Sequence, residues 1–222
     1  MSDHADQVTA SPALPVKPKL RGVIHQYCFF VSLIAGPLMV WRTIDPEQRV
    51  ATTIYSLSLS LLLGTSALYH RITWSEVSRM WMRRLDHLMI FVLIAGTYTP
   101  LMFVGVEPDL SQMVLTVVWG AVGVGALVKL GWPRAPKWLS ALLYSSLGWF
   151  ALVPLPQLLE HCGWSCVGWL VAGGVLYTLG ALTYAFKRPN FFKGEFGYHE
   201  VFHTFVVVAA ACHYQAIAAV SW

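Results

Sequence analysis

Residues 50–69 read VATTIYSLSLSLLLGTSALY, twenty positions without one charged side chain. A helix needs about 20 mostly apolar residues, at about 1.5 Å each, to cross the hydrocarbon core of a bilayer. A barrel strand needs about ten residues in strict alternation, and neither LSLSLLLG here nor VVVAAAC further along keeps that alternation. The stretch therefore predicts a membrane-spanning helix. Six more windows meet the same requirement, at residues 23–41, 86–104, 112–130, 139–158, 164–186 and 199–222. Charged residues fall between these windows or at their ends. The expected fold is all-α, an integral membrane bundle of seven transmembrane helices.

Composition agrees. Of 222 residues 56% are apolar and 12% charged, against about 25% charged in a typical soluble domain. So few charges could not cover the surface of a soluble protein. Four cysteines in this length make no disulfide framework, and 17 Gly and 12 Pro without period make no fibre. The domain division expected is a cytoplasmic tail at 1–21 and a membrane domain at 22–222. The tail carries Asp3 and Asp6 with Pro12, Pro15 and Pro18, and reads as disordered, unlike a secretory signal. Connectors this short leave no room for a soluble catalytic domain, so any chemistry lies among the helices.

The basic residues set an orientation. Lys17, Lys19, Arg21, Arg71, Arg79, Arg83, Arg84, Lys129, Arg134, Lys137, Lys187, Arg188 and Lys193 fall on one side of the seven spans, which is 13 of the 15 Lys and Arg. Arg42 and Arg49 fall on the other. The positive-inside rule puts the N-terminus in the cytoplasm and the C-terminus outside. This collar accounts for the formal charge of +4 without nucleic acid as a partner. Trp41, Trp74, Trp81, Trp132, Trp138, Trp164 and Trp222 lie near span ends, where an interfacial aromatic belt belongs. In the connection 71–85, Trp74, Val77 and Trp81 recur at helical spacing. That segment reads either as a short helix lying in the interface or as a basic loop.

Ionisable side chains inside spans are costly and usually functional. His70 directly follows the second window, one turn after Ser66, in SALYH; Asp86 opens the third, followed by His87; His199 and His203 open the seventh, in FGYHEVFH. With helices running alternately in and out, three imidazoles and one carboxylate reach the same cytoplasmic level. The i, i+4 spacing stacks His199 over His203, and Ser66 over His70. Three neutral imidazoles and a water make the open tetrahedral site of a catalytic zinc, whose bound water has its pKa lowered toward about 7. Asp86 is then placed to hold or deprotonate that water, and Ser66 to orient a ligand or donate to an oxyanion. The alternative stays open that each residue, at a span end, reaches interfacial water or phosphate. Glu200 then pairs with a Lys or Arg of the collar, and Asp86 with Arg83 or Arg84.

The remaining polar residues are assigned by depth. His213 lies 14 residues beyond His199, a rise of about 21 Å; it cannot share that ion, and reads as an interhelical hydrogen bond or a pore-lining residue. His25, followed by Gln26, has the depth of the site and is either a neighbour of it or an interfacial pair. Cys162 and Cys166, four apart on one helix, are a poor disulfide, and Cys28 and Cys212 read as packing residues. Gly120, Gly123, Gly125, Gly173 and Gly174 are expected to let helices approach, and Pro100, Pro154 and Pro156 to kink them.

SLSLSLLLGTSALYH, RRLDHLMIFVLIAGTYTP and FGYHEVFHTFVVVAAACHYQAI resemble the hemolysin III family, within the progestin and adipoQ receptor superfamily of seven-helix proteins. The resemblance runs from about Arg21 to Ile217 and rests on SxxxH (Ser66, His70), an Asp at the head of the third span (Asp86) and HxxxH (His199, His203). It implies zinc held by the three histidines near the cytoplasmic face, with a water between zinc and Asp86. Superfamily adiponectin receptors are linked to ceramide hydrolysis, alkaline ceramidases share the constellation, and hemolysin III proteins are named for lytic, pore-forming activity. Many members carry an acidic pair before the first helix; this chain has KLRGVIHQ there, with only His25 in a matching position.

Three functions follow as expectations. The first is an intramembrane zinc hydrolase of membrane lipid amides or esters, with His70, His199 and His203 as metal ligands and Asp86 and Ser66 as catalytic groups. The second is a channel-forming or cytolytic protein with structural zinc, and the third a seven-helix sensor without catalysis.

Overall fold

A computed structural model describes residues 18–131, 137–192 and 194–222. Lys17 and the rest of the tail before it, Trp132, Arg134 and Lys193 lie outside the described residues, as do the side chains of Lys137 and Trp138. Among the described residues there are seven α-helices: α1 Val23–Arg42, α2 Pro46–Arg71, α3 Glu76–Met102, α4 Pro108–Gly131, α5 Lys137–Trp149, α6 Leu155–Phe186 and α7 Tyr198–Ser221. Six are long and apolar enough to cross a membrane, and α5 is shorter.

The helix starts follow local chemistry. Asp45 caps α2, its carboxylate accepting from the Gln48 N–H at 2.7 Å, and Pro46 occupies the first helical position, where a missing N–H costs nothing. Ser75 caps α3 by accepting from the Ser78 N–H, with Glu76 in the first turn. This start lies ten residues before Asp86, so the connection 71–85 is neither a loop nor a separate interfacial helix. From Glu76 it is the first part of α3. Arg84 closes this stretch on itself, with its guanidinium 4.6 Å from the Trp81 ring and a contact to Met80 Sδ at 3.6 Å.

The fifth expected span, 139–158, is not one helix. α5 ends at Trp149, a 3₁₀ turn covers Phe150–Leu152, and α6 begins beyond Pro154. Proline lacks the amide hydrogen a continuing helix needs, so Pro154 marks the break, as its sequence position suggests, while Pro156 sits in the first turn of α6, where the missing N–H costs nothing. The boundary expected between the fifth and sixth spans is a single residue inside α6, Gly163, at φ 72° and ψ −179°. Glycine alone adopts that conformation without strain.

Packing follows chain order. α1 packs on α2, α2 on α3 and α3 on α4; α7 lies along α6 and also touches α1, α2 and α3. Met39, Tyr55, Leu62, Phe91, Val114, Leu158 and Ile217 form the core between them. Tyr27, Phe30, Val31 and Ile34 on α1 are exposed, as residues facing lipid are. The end of the bundle away from most basic residues is tied by Gln48, whose Nε2 donates to the Pro100 carbonyl at 3.1 Å and to Ser221 Oγ at 3.0 Å. There the Arg42 guanidinium also lies 4.7 Å from the Trp222 ring. Of the five glycines expected at close approaches, Gly125 meets the Phe91 ring and Gly173 the His213 ring, while a side chain at Gly120, Gly123 or Gly174 would meet nothing described within 4 Å.

Candidate metal centre

His70 lies in the last turn of α2, and His199 and His203 in the first two turns of α7. The start of α7 is fixed by Glu200, whose Oε2 accepts the Gly197 N–H at 2.9 Å. That fixes the direction in which the i, i+4 pair projects. The three imidazoles converge: ring centroids are 4.8 Å apart for His70 and His199, 4.9 Å for His70 and His203, and 4.6 Å for His199 and His203. One nitrogen from each lies within 4.8 Å of the other two. His203 and His70 are buried, and His199 is partly so.

These residues fit a metal ion on two counts. His203 Nδ1 is buried without a hydrogen-bond partner among the described residues, and an orphaned imidazole nitrogen is costly unless something takes it up. The Nε2 atoms of His70 and His199 are 3.3 Å apart. Two nitrogens bound to one tetrahedral ion at about 2.0–2.1 Å stand about 3.3–3.4 Å apart, so this pair already has the required spacing. The group could therefore hold an ion. Three imidazoles suit zinc, copper, iron or nickel alike.

Asp86 is outside the donor group, which consists of the three histidines alone. Its carboxylate lies near the Ser66 hydroxyl of α2, and Ser66 is buried. The ring of Tyr184 on α6 packs 5.6 Å from that of His199 and is within electrostatic range of Asp86, which places carboxylate and imidazoles in one neighbourhood. Ser66, His70, Asp86, His199 and His203 are thus gathered from α2, α3 and α7 at one end of the bundle. Tyr184 gave no signal in the sequence, being one of nine tyrosines and without a motif.

The other polar residues separate cleanly. Glu200 pairs with Arg21, whose Nε donates to Oε1 at 2.5 Å, so its partner is the collar, as expected. His213 shares a hydrogen bond of 3.3 Å with the Leu170 carbonyl across the α6–α7 contact. His87 takes part through its backbone carbonyl, which accepts from the Tyr144 hydroxyl at 3.0 Å. His25 is buried against the face of His203, with ring centroids 4.0 Å apart.

The family described as Haemolysin-III related matches residues 15–214. The chain belongs to that family. Among curated relatives, this haemolysin-III related chain is 32% identical to Hemolysin-3 of Bacillus cereus over 162 residues, covering 73% of this chain and 71% of that one. It is 30% identical to the Hemolysin-3 homolog of Bacillus subtilis (strain 168) over 168 residues, 76% of each chain. It is 28% identical to the adiponectin receptor protein of Drosophila melanogaster over 192 residues, 78% of this chain but 43% of the receptor. These matches also support placing the family within the progestin and adipoQ receptor superfamily. No solved structure matches.

Proposed function

We propose that this haemolysin-III related chain is a membrane-embedded zinc hydrolase acting on lipid amides or esters. The observation that carries this reading is the convergence of His70, His199 and His203 beside the facing pair Asp86 and Ser66. Three protein donors in place of four leave one position open, the arrangement of catalytic rather than structural zinc sites. When bound, zinc supplies Lewis acidity and makes water a stronger acid. Asp86 is the general base: it takes the proton of the attacking water and returns it to the leaving amine or alcohol. Ser66 donates to the Asp86 carboxylate and fixes its direction. A site at the end of the bundle suits a substrate whose head lies at the interface and whose chain lies in the bilayer.

The basic residues gathered at that end support a cytoplasmic location for the site, an N-terminus inside and a C-terminus outside, and the Bacillus relatives support a bacterial inner membrane. A second reading is favoured by the name of the Bacillus cereus relative, Hemolysin-3: a cytolytic or channel-forming protein in which the metal is structural. Elemental mass spectrometry on detergent-purified protein, followed by lipid amide and ester turnover and by dye leakage from liposomes, separates the two. About one zinc per chain with turnover in tight liposomes supports the hydrolase. Zinc without turnover in leaky liposomes supports the channel, and chelator-free protein without zinc removes both metal readings.

A further inference from the structure

Four imidazoles, not three, meet at this end of the bundle. His25, in the first turn of α1, is 3% exposed, and neither ring nitrogen has an aligned hydrogen-bond partner among the described residues. Its ring lies over that of His203, centroids 4.0 Å apart and planes 22° apart. The start of α1 is held in place on both sides. Arg21 binds Glu200, one residue from His199, and Gly22 lies against His70 so closely that a Cβ there would come within 2.6 Å of the His70 Cβ.

Two features of this arrangement decide what His25 does. Nearly parallel rings 4.0 Å apart hold their lone pairs in two separate planes, and His25 is outside the group whose nitrogens lie within 4.8 Å of one another. It is therefore not a fourth metal donor. A phenyl ring would fill the same space and stack as well, without burying two ring nitrogens that lack an aligned partner among the described residues, a burial that stability alone disfavours. The imidazole nitrogens therefore serve something that enters the site. We propose that His25 is a ligand-binding residue of the centre, hydrogen-bonding the group that occupies the position left open by His70, His199 and His203. The chemical class is a small oxygen or nitrogen ligand: water, an anion, or the carbonyl of an amide or ester. This rests on the reading of the three histidines as a metal site.

The test uses the full chain in detergent, loaded with cobalt(II), whose d–d bands report metal binding and whose band shift on adding azide reports occupancy of the open position. His25→Phe is expected to bind cobalt within about threefold of wild type and to bind azide about tenfold more weakly, the weight of one hydrogen bond to a charged group. His25→Gln, which retains a donor, is expected to recover part of that loss. Azide affinity unchanged in His25→Phe overturns the proposal. So does loss of cobalt from both variants when circular dichroism and gel filtration match wild type, because His25 is then a metal donor. Should His25→Phe not fold, His25→Ala takes its place: azide binding about tenfold weaker than wild type supports the proposal, and azide affinity equal to wild type overturns it. Wild type that takes up no cobalt defeats the underlying metal reading instead, a result distinct from all of these.

Discussion

The Nε2 atoms of His70 and His199 face each other at 3.3 Å across the contact between α2 and α7, 129 residues apart in sequence. Two neutral imidazoles at that separation make at best one long hydrogen bond, whereas two donors to one tetrahedral ion belong at that separation. The third donor, His203, lies on the same face of α7 as His199, one turn on.

Removing any one of the three should therefore release the metal. His70→Ala, His199→Ala and His203→Ala are each expected to retain less than about a tenth of the wild-type zinc after dialysis against a weak chelator, since two imidazoles fall short of the three protein ligands that a catalytic zinc site keeps. Elemental mass spectrometry gives the stoichiometry. Wild-type zinc retained in all three variants would place the ion elsewhere.

Asp86 should behave in the opposite way. The donor group does not include it, so Asp86→Asn is expected to keep zinc at wild-type stoichiometry. Turnover of a lipid amide or ester should fall by about 10²-fold or more, the usual weight of a general base. Ser66→Ala, which leaves the carboxylate but removes the hydroxyl facing it, should cost less than Asp86→Asn. Lipid turnover by Asp86→Asn equal to wild type would sink the assigned role.

The sequence carried the spans because the bilayer imposes one length and excludes charge from it, and residues 50–69 state that rule without exception. It also carried Ser66, His70, Asp86, His199 and His203, since short connectors force alternate helices to return their ends to one level. It did not carry the true start of α3. A basic, tryptophan-containing segment is compatible with loop, interfacial helix or helical extension, and the Ser75 cap decides among them only once packing is known. The end of α5 at Trp149 was equally hidden, because the apolar run of the window 139–158 continues through the break. Least legible were the contacts of the first helix. Nothing local pairs Arg21 with Glu200, 179 positions away, or sets His25 over His203.

Two ion pairs link the start of α1 to the α6–α7 connection and the head of α7, and they should differ sharply in weight. In Arg21–Glu200 the carboxylate is 3% exposed and the guanidinium 24%. Arg21→Ala strands a buried charge, a defect that costs about 3–5 kcal/mol in fully buried pairs and somewhat less here. Glu200→Gln removes the charge but can still accept the Gly197 N–H, and should cost less. Lys19–Glu195, at 2.8 Å, is exposed on both sides. Lys19 holds the Glu195 carboxyl below its ordinary range, and Glu195 holds the Lys19 ammonium above its own. The contribution of this pair is therefore lost as pH falls through the lowered Glu195 value or rises through the raised Lys19 value, and salt screens it between. Thermal unfolding in detergent should show a large drop for Arg21→Ala and almost none for Lys19→Ala at neutral pH. Equal drops would contradict this ranking.

Gly22 offers the sharpest test of whether the first helix belongs to the metal centre, because a second glycine supplies its control. Gly22 and Gly194 both have left-handed backbone, at φ 78° and 83°, so alanine at either site carries the same strain of about 1–2 kcal/mol. They differ in what the new methyl group would meet. At Gly194 no described atom lies within 4 Å, whereas at Gly22 the His70 Cβ lies 2.6 Å away, a distance that real Cβ atoms do not tolerate. His70 cannot yield without moving its ring relative to His199, so the start of α1 or the donor set must shift. Both variants are expected to lose similar stability with the metal stripped. Only Gly22→Ala should also lose zinc affinity, by about 10–100-fold, the usual effect of disturbing residues that orient metal ligands. Competition with a chromophoric chelator measures this directly. Equal zinc affinity in the two alanine variants would mean that the first helix touches His70 without governing it.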